Sequence, residues 1–122
     1  MILADTSIWV DYLHGGNAVM GGLLGRERVL MHPFVAGELA LGHLSPRATI
    51  LAGLSDLPAA LAASVDEVAS LIERKQLYGM GIGYVDVHLL AAVRLTPDAR
   101  LWTRDKRLAA AAQRLIGAAA LP

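Results

Sequence analysis

Four acidic residues, Asp5, Glu38, Asp86 and Asp105, occupy positions that invite a chemical reading. Asp5 closes the apolar run Met1–Ala4, and Asp105 follows shortly after the apolar segment Ala99–Trp102. Glu38 interrupts the otherwise uncharged segment Phe34–Leu41, and Asp86 sits in the same way within Tyr84–Leu90. A buried, unpaired carboxylate costs several kcal/mol even after relaxation, so acids in such surroundings require protons, basic partners or a metal ion. Four of them brought together favour a cation. Hard oxygen ligands in a chain without cysteine point to magnesium or manganese over zinc. Each acid also has a structural reading. Asp5 and Asp105 suit helix N-caps, Glu38 suits an exposed helix face, and Asp86 in a first helical turn gains from the macrodipole. His88 points away from Asp86 on a helix and reads as a packing or surface residue.

The elements that must position these acids follow from periodicity and punctuation. Met1–Ala4 has the form of a buried parallel strand, with Asp5-Thr6-Ser7 opening a helix through Leu13. After Gly15-Gly16-Asn17 a short helix over Ala18–Leu24 is expected, then a strand at Val29–Met31. Pro33 opens a helix to about Leu44, and Ser45-Pro46 opens another through Leu51. Pro58–Ala63 is ambiguous. Ser64 with Glu67 has the form of a capping box, and Val68, Leu71, Ile72 and Leu77 keep helical spacing behind it. Gly79, Gly81 and Gly83 form a connector before a helix over Tyr84–Leu95. A strand at Ala99–Trp102, a final helix to Ile116 and a last strand at Ala118–Leu121 complete the series. Short apolar strands alternating with helices predict an α/β sandwich with a central, mostly parallel sheet. In such folds ligands gather beyond the carboxyl ends of the strands, where Asp5 and Asp105 fall.

At 122 residues the chain is expected to form one domain over 1–122. Mean hydropathy is high, at +0.47, mostly through Ala and Leu. The longest uncharged stretch, Tyr12–Gly25, is glycine-rich and shorter than the roughly 20 apolar residues that span a bilayer. No membrane association is expected, and no secretory leader is read at the N-terminus. The lack of cysteine fits a cytoplasmic protein. Net charge is zero, which argues against a chain coated in positive charge for nucleic acid. Bases gather locally, however, at Arg104, Lys106 and Arg107 around Asp105, and these are candidates for RNA-backbone contacts.

Read together, four blocks resemble the VapC-type PIN domains. They are Asp5-Thr6-Ser7-Ile8-Trp9-Val10-Asp11-Tyr12-Leu13, Gly37-Glu38-Leu39-Ala40-Leu41-Gly42, Gly81-Ile82-Gly83-Tyr84-Val85-Asp86-Val87-His88-Leu89-Leu90-Ala91-Ala92 and Leu101-Trp102-Thr103-Arg104-Asp105-Lys106-Arg107-Leu108. They occur in the family's order and span nearly the whole chain; residues 45–64 and the C-terminal tail match only loosely. The resemblance implies a PIN-like three-layer α/β/α sandwich. It implies Mg²⁺- or Mn²⁺-dependent hydrolysis of RNA phosphodiesters, a toxin role, homodimers, and inhibition by a cognate VapB-type antitoxin. Position by position, Asp5, Glu38, Asp86 and Asp105 match the family's four acids. Thr6 and Thr103 match polar neighbours that support them.

The chemistry suits the groups. Carboxylates alone repel an RNA phosphate; divalent ions reverse the local sign, polarise the phosphoryl group and activate water. Asp5 would anchor the principal ion with Glu38 and Asp86 beside it, and Asp105 would help to fix a second ion or the attacking water. His14, His32, His43 and His88 lack the context of a general base. Two alternatives stand beside this reading. A catalytically silent PIN-like dimerisation module would keep the fold without the reaction. A phosphoreceiver-like signalling domain would need paired early acids and a strand-end lysine, whereas Lys75 and Lys106 both fall in helical segments.

Overall fold

The first strand, β1 (Ile2–Ala4), is buried at every position, although successive strand residues point to opposite faces. Both faces of the sheet are therefore covered, as parallel sheets require. The computed structural model describes residues 1–117 and 120–121. Its sheet also contains β2 (Val29–Leu30), β3 (Arg100–Trp102) and β4 (Ala120–Leu121), in the order β2-β1-β3-β4, and every pairing is parallel. β1 and β3 are central and in register, Ile2 opposite Arg100 and Ala4 opposite Trp102.

Between β1 and β2 run α1 (Thr6–Gly15) and α2 (Ala18–Gly25), capped by the side chains of Asp5 and Asn17. The next helices are α3 (Pro33–Ala40) and α4 (Arg47–Ser55). Then come α5 (Val65–Lys75) and α6 (Tyr84–Leu95), and α7 (Lys106–Ile116) lies between β3 and β4. This is the expected α/β sandwich with a parallel sheet. Leu3, Ile8, Val35, Leu89, Leu90, Leu101 and Leu108 share the main core, while α5 and α6 close a smaller one around Val68, Leu71, Val87 and Ala91. The expected capping box forms: Ser64 Oγ accepts from the Glu67 N–H at 3.1 Å, and Glu67 Oε1 accepts from the Ser64 N–H at 2.9 Å.

Several boundaries differ from the pattern. α3 stops at Ala40 rather than near Leu44; beyond it Arg47 reaches back and donates to the carbonyls of Ala40 (2.7 Å) and Gly42 (3.2 Å). The carbonyl of Ala40, left without a partner inside the helix, is satisfied by that guanidinium. α4 runs past Leu51 to Ser55. Leu77 is buried but lies beyond α5, whose end turns through Gln76 at φ 53°. The ambiguous segment at Pro58 follows the outer edge of β2: the Met31 N–H donates to the Pro58 carbonyl and the Ala60 N–H to the Met31 carbonyl. That contact covers what would be an open sheet edge. The expected last strand is β4 over Ala120–Leu121; Ala118 and Ala119 lie outside the described residues.

Candidate functional site

The site is built where β1 and β3 end side by side. The Asp5 N–H donates to the Trp102 carbonyl at 3.0 Å, extending the ladder by one bond, so that Asp5 and Thr103 leave the sheet together. Asp5 is only 8% exposed, which makes it the buried member of the acidic set. Its burial is matched by donors: Ser7 Oγ (2.7 Å) and the Ile8 N–H (3.3 Å) donate to Oδ1, and Thr103 Oγ1 donates to Oδ2. Thr103 Oγ1 in turn accepts from the Asp105 N–H at 3.1 Å. Asp105 caps α7, its Oδ1 accepting from the N–H groups of Arg107 (2.9 Å) and Leu108 (3.2 Å).

The other two acids arrive from helices. Glu38 lies near the end of α3, where Thr6 Oγ1 donates to its Oε1 at 2.5 Å. It is exposed, so the burial argument made for it from the sequence does not hold. Val35 and Leu39 take the buried face of α3, and Glu38 falls beside that face rather than on it. Asp86, half-buried in the first turn of α6, accepts at Oδ2 from the Gly83 N–H at 3.0 Å.

All four acids line one cleft of about 220 Å³, together with Thr6, Ser7, Val85 and Leu89. No lysine, arginine or histidine is among these lining residues. Asp86 registers the crowding. Burial is the main influence raising its pKa, the Gly83 N–H opposes the rise, and repulsion from Asp105, Asp5 and Glu38 adds to it.

The donor set fits a hard divalent cation in kind: carboxylate oxygens with neither thiolate nor imidazole. Glu38 Oε2, Asp86 Oδ1 and Asp105 Oδ2 accept no hydrogen bond among the described residues. Among the described residues, no three acidic or histidine side chains are already drawn around one ion-sized point. The four carboxylates nonetheless share one cleft, and Asp86 feels the charge of the other three.

The remaining candidates separate. Arg104 is ion-paired with Asp11 of α1, both about half exposed. Lys106 is exposed in the first turn of α7. Arg107 is also exposed, and its guanidinium lies against Gly81. His14 and His43 are exposed, whereas His32 and His88 are buried. His32 caps α3 through Nδ1, which accepts from the Phe34 N–H at 3.0 Å. His88 stacks against Phe34 and Tyr84, with centroids at 4.5 and 4.7 Å. Sequence reasoning passed over Ser7 as a ligand of Asp5. The available signal was a hydroxyl two residues after a strand-end aspartate, a spacing that lets the two side chains meet in the first turn of a helix.

A parallel sheet between helices, with acids gathered at the carboxyl edge of its central strands, defines a PIN-like α/β/α protein. No protein-family model matches the chain. Ribonuclease VapC32 of Mycobacterium tuberculosis is 46% identical over 111 residues, which cover 91% of this chain and 90% of that protein. The match is found in strain CDC 1551 / Oshkosh and, with the same identity and coverage, in strain ATCC 25618 / H37Rv. The chain belongs to the VapC family of PIN-domain proteins. No helix among the described residues is long and apolar enough to cross a membrane.

Proposed function

We propose that this protein is a metal-dependent endoribonuclease, the toxin of a type II toxin–antitoxin pair, and that Asp5, Glu38, Asp86 and Asp105 hold its Mg²⁺, with Mn²⁺ able to substitute. The observation that carries the proposal is four carboxylates lining one cleft with no basic side chain among them, in a relative of a protein named ribonuclease. Bound there, a divalent ion supplies Lewis-acid polarisation of the phosphodiester and a nucleophile at neutral pH. The chain's own part is positional. Thr103 and Ser7 fix the Asp5 carboxylate, Thr6 fixes Glu38, and the Gly83 N–H fixes Asp86. Val85 and Leu89 form an apolar wall that limits water on one side of the cleft.

The same reading includes a VapB-type antitoxin that covers the site, a cytoplasmic location and a homodimer. The candidate dimer faces are the helices around Ile8–Leu13 and Leu39–Leu51, where Val10 is 38% and Leu41 89% exposed. Cleavage of RNA in Mg²⁺ or Mn²⁺, abolished by EDTA and by Asp5→Asn, is the expected result. Cleavage that survives both treatments overturns the metal mechanism.

A further inference from the structure

The bases at the start of α7 are three in sequence and one in geometry. Arg104 is committed to Asp11, and among the described residues Lys106 makes no ion pair. Arg107 differs. Its main-chain N–H donates to Asp105 Oδ1, and its guanidinium is laid across Gly81. Gly81 lies two residues before Gly83, whose N–H holds Asp86. One residue thus touches Asp105 through its backbone and the connector to Asp86 through its side chain. Among the described residues its guanidinium makes no ion pair. Gly81 creates this seat in two ways. It has φ +75°, which disfavours a β-carbon, and a β-carbon there would meet Arg107 Nη1 at 2.8 Å and Cδ at 3.0 Å.

From this geometry we infer that Arg107, seated on Gly81, is a substrate-positioning residue whose guanidinium takes a phosphate oxygen of RNA at the rim between Asp86 and Asp105. The inference rests on the nuclease reading above and adds to it which base is used and what places it. A planar fork of donors matches a phosphate, and such a contact orients a backbone without reading its sequence. Its cation also offsets some of the repulsion that four carboxylates exert on a polyanion.

The test is cleavage of a random-sequence pool of 5′-labelled single-stranded RNA in Mg²⁺ at several KCl concentrations. Arg107→Gln should raise the apparent KM about tenfold, the scale of one charged hydrogen bond. It should leave kcat within about twofold and flatten the slope of log(kcat/KM) against log[KCl] by about 0.7, the effect of one lost phosphate contact on a single strand. Arg107→Lys should keep the slope and recover part of the KM. Gly81→Ala, which pushes the guanidinium off its seat, should raise KM in the same direction and add nothing when combined with Arg107→Gln. A purely structural role would lower kcat and leave the salt slope unchanged, which overturns the inference. Wild-type cleavage with Arg107→Gln indistinguishable from it overturns the inference alone. Wild-type protein that leaves the pool uncut overturns the nuclease reading and this inference together.

Discussion

Thr103 donates its hydroxyl to the carboxylate of Asp5, a residue 98 positions earlier, across the ends of two paired strands. The same oxygen accepts the Asp105 N–H, so one buried hydroxyl joins the acid of β1 to the acid that caps α7. Thr103→Val keeps the shape and removes both bonds. RNA cleavage should fall about 10- to 100-fold, the usual scale for partners that orient metal ligands, with a higher Mg²⁺ requirement. Thr103→Ser should retain most activity. A Mg²⁺ titration of cleavage rate for the three proteins decides the matter, and Thr103→Val behaving as wild type would refute the arrangement.

Asp86 should separate stability from activity. Burial, followed by repulsion from its three neighbours, raises its pKa above the ordinary 3.8. The folded protein therefore binds more protons than the unfolded chain in that window, so stability falls as pH rises from about 3.8 through the raised value. Asp86→Asn retains an acceptor for the Gly83 N–H and removes the charge. Thermal melts in EDTA should show it more stable than wild type at neutral pH, by a few degrees, with the difference closing below about pH 3.8. Cleavage should be lost at every pH.

The histidine pair should act in the opposite direction. Burial lowers the pKa of His88, and burial followed by the charge of His88 lowers that of His32. Neither Nε2 has a hydrogen-bond partner among the described residues. With folded pKa values depressed, the unfolded chain binds more protons, and stability is lost as pH falls from the ordinary 6.5. His88→Phe, which keeps an aromatic ring against Phe34 and Tyr84, should flatten this acid limb below about pH 6.5, read by urea melts across a pH series. An unchanged limb would assign acid sensitivity to other groups.

Leu3 sits at the centre of β1 and is fully buried. Leu3→Ala should cost about 2–5 kcal/mol, seen as a lower urea midpoint with little change in slope.

Much of this was legible before the fold was known. Asp5 closes an apolar run and Asp105 follows another shortly after, each just before a helix, and that pattern placed both at the carboxyl edge of a sheet. Asp86 was readable because it interrupts the mostly apolar Tyr84–Leu90, and the helix there is indeed buried from Val87 to Val93. Glu38 was misread in one respect. The uncharged segment around it is not itself buried, since Phe34, Gly37 and Leu41 are exposed, so the lack of charge there did not imply burial. What sequence could not convey is long-range: Arg47 folding back onto the end of α3, Pro58 closing the edge of β2, and Arg107 crossing to Gly81. Each depends on a contact between segments whose local patterns do not refer to one another.

The pairing of β1 with β3 has a consequence for folding. The two central strands are hydrogen-bonded neighbours, yet the chain between Ala4 and Arg100 separates them. Pairings so distant in sequence must pay for closing a long loop before they are rewarded. Asp5 meets Thr103 only once that loop has closed, so the acidic cleft and the sheet take shape in a single event.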